Sequence, residues 1–202
     1  MNLKNFIIAV IILAAAWFIY NKITAPGIKN LDNGGTAVVA FGDSLTYGHG
    51  ARPGEDYPSV LAAKISRPVV NLGVSGDKSV DGLARINDIW EHEPYMVLIE
   101  FGGNDFMQHL PFEQTVSAVG QIVDQAQARG AIAVIVDTGG PMMGRYTKAY
   151  KKMAREKGAV FVPGILDGIM TDPALKSDAV HPNAAGYAIV AQRVYDAIKK
   201  YL

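Results

Sequence analysis

Ser44 follows Gly42-Asp43 directly after a short apolar run, TAVVAF at 36–41. A serine placed there would project from a strand end with its hydroxyl free to attack an acyl carbon. Asp43 or Ser44 would equally serve as the cap of a following helix. Far along the chain, Asp178 and His181 stand three apart in DAVHPN. If the backbone turns before Pro182, the carboxylate accepts from one imidazole nitrogen and leaves the other as a base. The plain alternative is an exposed histidine ahead of a helix. Between these ends lie GVSGD at 73–77 and GGND at 102–105. Glycine lets backbone N–H groups come close to a ligand, and Asn104 carries an amide donor. Taken singly, both segments are also ordinary turns.

The four segments gain meaning as a set. A serine hydroxyl attacks at neutral pH only when a base takes its proton, and that base needs a third group to hold its tautomer. The oxyanion formed on an acyl carbon then needs preorganised donors. The chain offers one of each. It lacks the G-x-S-x-G elbow, because Thr46 stands where the second glycine would be, which argues against the ordinary α/β-hydrolase fold. His49, His92 and His109 have no comparable partners nearby in sequence and read as surface or loop residues. Asp43, Asp77 and Asp105 are conceivable oxygen ligands for a metal-dependent phosphoesterase, but no independent metal signature accompanies them. Neither a metal nor another cofactor is expected.

Bringing four distant segments together requires a frame whose loops converge. Apolar runs at 36–41, 68–72, 95–101, 131–137 and 159–162 alternate with helical patterns at 57–65, 80–90, 112–129, 146–157 and 184–201. Near-continuous apolar strands between amphipathic helices are what a parallel sheet buried on both faces requires. The expectation is an α/β domain: a three-layer, doubly wound, five-stranded parallel sheet of flavodoxin-like type over residues 36–202. Its working edge lies at the carboxyl ends of the strands, where all four segments fall.

Composition narrows the class further. The 202 residues carry 19 Lys+Arg against 19 Asp+Glu, half are hydrophobic and none is cysteine. That excludes a disulfide-stapled miniprotein, a Cys-ligated zinc site, a lipid-modified N-terminal cysteine and a largely disordered chain. Balanced charge argues against a nucleic-acid partner.

The N-terminus reads as a separate object. Phe6 to Tyr20 is an unbroken apolar run between Lys4 and Lys22. As a helix it covers ~22 Å, short of a ~30 Å hydrocarbon core unless the flanking lysines snorkel. Residues 1–23 are expected to be a hydrophobic helix serving as membrane anchor. A cleaved secretory signal is the second reading, although the apolar run continues past Ala14–Ala16, and Pro26 follows Thr24–Ala25. A helix buried in the soluble fold is the third. The first two place the domain at or across a membrane, facing the periplasm or cell exterior, or secreted after cleavage. Residues 24–35, TAPGIKNLDNGG, read as a linker.

GDSLTYG at 42–48, NLGVSGD at 71–77, EFGGND at 100–105 and DAVHPN at 178–183 resemble the four blocks of the SGNH-hydrolase, or GDSL esterase/lipase, superfamily. The Gly-Leu-Ala-Arg segment at 82–85 and the block spacing are similar to its bacterial thioesterase I, lysophospholipase and arylesterase branch. The resemblance covers residues 36–202 and departs at Lys78, where close relatives often carry a small hydroxyl residue. It implies Ser44 as nucleophile, His181 as base and Asp178 as its orienter. The Ser44 N–H, Gly76 and Asn104 would be the oxyanion donors. The implied activity is hydrolysis of short to medium acyl esters, with lysophospholipids or acyl thioesters among natural substrates. The partners would be a small-molecule ester or lipid substrate, with a membrane contacted through the N-terminal segment. An envelope carbohydrate O-acetyl esterase is the runner-up. A non-catalytic, membrane-tethered lipid or glycan binder would have no need of Ser44, Asp178 and His181 together. Phe106, Met107, Leu110 and Phe112, with Met142 and Met143, suggest an acyl groove; helix-start and core packing would explain them equally well. Of these, Met107, Leu110 and Met142 are the expected substrate contacts.

Overall fold

A strand can be apolar at consecutive positions only where both faces of its sheet are covered. Val38 and Ala40 pack into one layer while Val39 and Phe41 pack into the other, all of them fully buried. The same alternation separates Met96 and Leu98 from Val97 and Ile99, and Val134 from Ala133 and Ile135. Each such side chain contributes roughly 1.5–3 kcal/mol relative to exposure, apart from the smaller alanines.

The computed structural model describes residues 2–24 and 26–202. In chain order the elements are α1 (Leu3–Thr24), β1 (Ala37–Gly42), α2 (Ser44–Tyr47), α3 (Tyr57–Ala62), β2 (Val69–Gly73), α4 (Ser79–Ala84), β3 (Pro94–Glu100), α5 (Gly103–Met107), α6 (Phe112–Ala128), β4 (Ile132–Val136), α7 (Gly144–Lys157), β5 (Val160–Val162) and α8 (Ala184–Ile198). The five strands are parallel, in the order β2-β1-β3-β4-β5. Leu61 and Tyr187, from α3 and α8, cover one face. Ile122, Val123 and Tyr150, from α6 and α7, cover the other. This is the expected three-layer, doubly wound sheet.

Helix α6 shows how sequence spacing becomes packing. Thr115, Ala118, Val119, Ile122, Val123 and Ala126 recur at helical intervals and are all buried. Gly130, with φ +88°, then turns the chain towards β4. The pattern at 80–90 departs from expectation. It forms α4 and then a separate 3₁₀ segment, Ile86–His92, with the break at Arg85 (φ −102°, ψ 20°). The Arg85 side chain runs to the sheet edge instead of along the helix, as described below. The last helix likewise ends at Ile198, followed by a 3₁₀ turn at Lys199–Tyr201.

The N-terminal run is helical, and Phe6, Ile7, Ile11, Ile12 and Leu13 are exposed on it. That exposure does not fit a helix buried in the α/β core. Among the described residues, no helix is long and apolar enough to cross a membrane. Ala25, and with it the Thr24–Ala25 cleavage position, lies outside the described residues. Residues 26–35 carry no helix or strand, but much of this stretch is tied down. Asn30 Nδ2 donates to the carbonyls of Gln127 and Ala131, both at 2.9 Å. Asn33 Nδ2 donates to Tyr95 O, and the Lys29 N–H to Gly158 O.

Candidate active site

The carboxyl ends of β1, β2 and β3 bring the first three segments together. Asp43 leaves β1 as the N-cap of α2, its Oδ1 accepting from the Leu45 N–H at 2.9 Å. The capping reading and the catalytic reading of this segment therefore both describe it: Asp43 caps, and Ser44 opens the helix. Gly42 sits so close to Thr46 and Glu100 that a Cβ there would collide with both.

Asp178 and His181 meet because the carboxylate folds back over its own turn. Asp178 Oδ1 accepts from the Val180 and His181 N–H groups at 2.8 and 2.9 Å. His181 Nδ1 then lies 2.8 Å from Asp178 Oδ2, and Nε2 lies 3.0 Å from Ser44 Oγ. Chiefly the Val180 backbone bond, and then the histidine, hold the Asp178 carboxyl down at about 2. The turn is closed by an isolated bridge between Lys176 and Pro182, and Asn183 caps α8 through the Gly186 N–H.

Gly76 takes a positive φ of +90° with open space where a side chain would stand. Among the described residues, neither its N–H nor that of Ser44 meets a protein acceptor. Asn104, on α5, is less free than the sequence suggests. Its Nδ2 donates to Asp77 O at 3.0 Å and to Asp43 Oδ2 at 3.2 Å, which engages both amide hydrogens. Two further residues lock these loops together. Arg85 Nε pairs with Asp77 Oδ2 at 2.6 Å, its NH2 group donates to Gly42 O at 3.0 Å, and the guanidinium lies over the Phe41 ring. Buried Asp105 accepts from both the N–H and the hydroxyl of Ser79. Asp43, Asp77 and Asp105 are thus occupied with holding loops.

His49 is exposed, as expected, but it is not isolated. Its ring lies against that of His181, tilted by 44° with centroids 4.3 Å apart, and its Nε2 is 3.9 Å from Asp178 Oδ2. Among the described residues, His49, Asp178 and His181 form a group whose ligand atoms lie within 4.8 Å of one another, close enough to hold a metal ion. Sequence gave no signal for this, because His49 lies beyond α2 with glycines on both sides and reaches the base only through the fold.

A cavity of about 330 Å³ opens beside Ser44, Asn104 and His181. Met107 and Met142 line it, joined by Met143 and Phe106. Leu110 does not: the chain turns at His109, which has φ +57°, and carries Leu110 out of the lining. Phe112 packs edge-on against Tyr146 with centroids 5.0 Å apart, a packing role. Sequence reasoning missed Leu166 and Met170, in the loop after β5, and Val180 beside the histidine. The apolar content of GILDGIM at 164–170 was the available signal.

Comparison with known proteins identifies the family. Residues 40–189 match the GDSL-like Lipase/Acylhydrolase family. The chain is 30% identical over 164 residues to thioesterase 1/protease 1/lysophospholipase L1 of Escherichia coli K12, covering 76% of this chain and 79% of that one. It is 26% identical over 178 residues to an arylesterase of Vibrio mimicus, covering 82% and 89%. The crystal structure of TesA superposes with a TM-score of 0.77 at 26% identity, over 82% of this chain and 99% of that one. The chain is a hydrolase belonging to the GDSL-like lipase/acylhydrolase family, of the SGNH type.

Proposed function

We propose that this protein is a serine esterase acting on short to medium acyl esters, with lysophospholipids or acyl thioesters as natural substrates. The observation that carries this reading is the continuous relay from Asp178 through His181 to the Ser44 hydroxyl, with bonds of 2.8 and 3.0 Å. In the forward step His181 takes the Ser44 proton as Oγ bonds to the carbonyl carbon. The ionised Asp178 stabilises the imidazolium that results. His181 then returns the proton to the leaving alcohol or thiol as its bond to the acyl carbon breaks. Water, deprotonated by the same imidazole, releases the acid and restores Ser44.

The Ser44 and Gly76 N–H groups are available to the oxyanion. Asn104 joins them by redirecting the amide hydrogen now held by Asp43, the longer of its two bonds. Loss of one such donor costs on the order of 10²–10³ in turnover. The methionine-rich cavity suits an apolar, flexible acyl chain. The exposed apolar side chains of α1 support association of the N-terminal segment with a membrane surface, which would put the domain in the periplasm or outside the cell. A fluorophosphonate should label the wild-type protein covalently and leave Ser44→Ala unlabelled, with p-nitrophenyl ester hydrolysis lost in parallel. Full activity in purified Ser44→Ala would overturn the assignment, and activity confined to acetylated sugars would favour the carbohydrate O-acetyl esterase.

A further inference from the structure

Beneath Ser44 and Asn104 lies a second pair of acidic groups that the hydrolytic cycle does not use. Glu100 ends β3 and is 0% exposed; Asp43 is 2% exposed. Among the described residues, no Lys or Arg pairs with either. Two carboxylates in contact without a cation would be costly in so dry a place.

The hydrogen bonds show how the cost is avoided. Thr46 Oγ1 donates to Glu100 Oε2 at 3.1 Å, so the Tyr57 hydroxyl, 3.3 Å away, is the donor to Thr46. Glu100 Oε1 is buried and has no partner so long as Glu100 is treated as an ionised acceptor. A proton on that oxygen turns it into a donor, and the carboxyl in reach is Asp43, whose backbone N–H also faces the Glu100 carboxyl and partly offsets the upward push. Asp43, for its part, accepts from Leu45 N–H and Asn104 Nδ2, as an ionised carboxylate should.

We propose that Glu100 is a positioning residue that stays protonated at neutral pH and donates from Oε1 to the Asp43 carboxylate. Through Asp43 it fixes the start of α2, which carries Ser44, and sets how tightly Asn104 is held. A carboxylate that already accepts a strong hydrogen bond from Glu100 competes less for the Asn104 amide, and this eases the redirection of that hydrogen towards an oxyanion. Burial and the neighbouring Asp43 both push Glu100 well above the ordinary glutamate range. Burial raises Asp43 only to about 6, with the Leu45 N–H and the bond from Glu100 holding it down. The other titratable groups facing the pair are His181 and Asp105 around Asp43, with Asp56 and the hydroxyls of Tyr57, Tyr150 and Tyr187 further round.

This inference rests in part on the hydrolytic reading, because its kinetic arm needs turnover; its spectroscopic arm does not. Glu100→Gln keeps an acceptor for Thr46 and a donor for Asp43, and should hold kcat within about threefold with an unshifted acid limb of the pH profile. Glu100→Ala removes the donor and should lower kcat by ~10–100-fold with little change in KM. Infrared difference spectra at pH 7.5 should show a protonated carboxyl band in wild type and Ser44→Ala that is missing from Glu100→Gln. Asp137, also buried and raised, contributes equally to all three and cancels. An unchanged band in Glu100→Gln would overturn the proposal, even in a protein that hydrolyses nothing. Loss of activity in Glu100→Gln as severe as in Glu100→Ala would overturn it too.

Discussion

The protonated Glu100 has a thermodynamic signature that can be worked out in advance. In the unfolded chain this carboxyl titrates near 4.5; in the folded protein it titrates well above that, through burial and the adjacent Asp43. Between those two values the folded state binds one proton more than the unfolded state. Stability is therefore full below about pH 4.5 and falls as pH rises towards the folded value, at roughly 1.4 kcal/mol per pH unit. Asp43 has a slope of the same sign, but its window runs from 3.8 to about 6 and is largely closed above that. Above about pH 6.5, where the Asp43 window has closed, Glu100 should go on lowering wild-type stability with that slope until its own folded value is passed. Glu100→Gln cannot take up that proton, so its stability relative to wild type should improve with the same slope. For a domain of this size each kcal/mol of that gain is ~2–4 °C in Tm. Urea unfolding of both proteins at several pH values reads the difference directly, and an unchanged m-value would show that the unfolded states are comparable. Static effects of the substitution shift the two curves apart by a constant; only the slope carries the argument. Parallel curves would mean that Glu100 is ionised in the folded protein, and the reasoning would be refuted.

Three other outcomes are expected. Asp178→Asn should keep the fold and lose ~10²–10⁴ in kcat, because an amide cannot accept from the imidazole as the carboxylate does; an intact rate would remove Asp178 from the mechanism. Arg85→Ala should free Asp77 from Gly42 and displace the Gly76 turn, lowering kcat by ~10²-fold with a smaller change in KM; a pure KM effect would contradict this. A truncation lacking residues 1–35 should fold but be about 2–4 kcal/mol less stable than one lacking 1–27, because it removes the Asn30 and Asn33 hydrogen bonds. Equal melting temperatures would refute the docking of this stretch.

The parts of the site that were legible in sequence are those whose chemistry is written in short, contiguous stretches. Ser44, Asp178 and His181 sit in motifs of a few residues, and the alternation of apolar runs with helical patterns places those motifs at strand ends. What escaped depends on contacts between distant segments. His49 reaches His181 only because the loop after α2 and the loop before α8 meet. Glu100 reads in YMVLIEF as one charge at a strand end, and its importance comes from total burial against Asp43. Leu110 went astray for a local reason, the left-handed turn at His109, which no apolar pattern announces. The pattern at 80–90 was broken by Arg85, whose pull towards Asp77 is a tertiary effect.

The docked stretch from Lys29 to Gly35 has a geometric consequence. It is fastened at the amino-terminal rim of the sheet, near the starts of β3 and β4, while Ser44 and the cavity occupy the opposite rim. The seven residues of β3 separate the two rims by roughly 20 Å. Whatever surface holds the N-terminal segment, the mouth of the cavity opens on the far side of the sheet from the point of attachment. Were that leading segment to rest on a membrane, as proposed, a substrate would have to reach the cavity around the domain rather than straight from the layer beneath it.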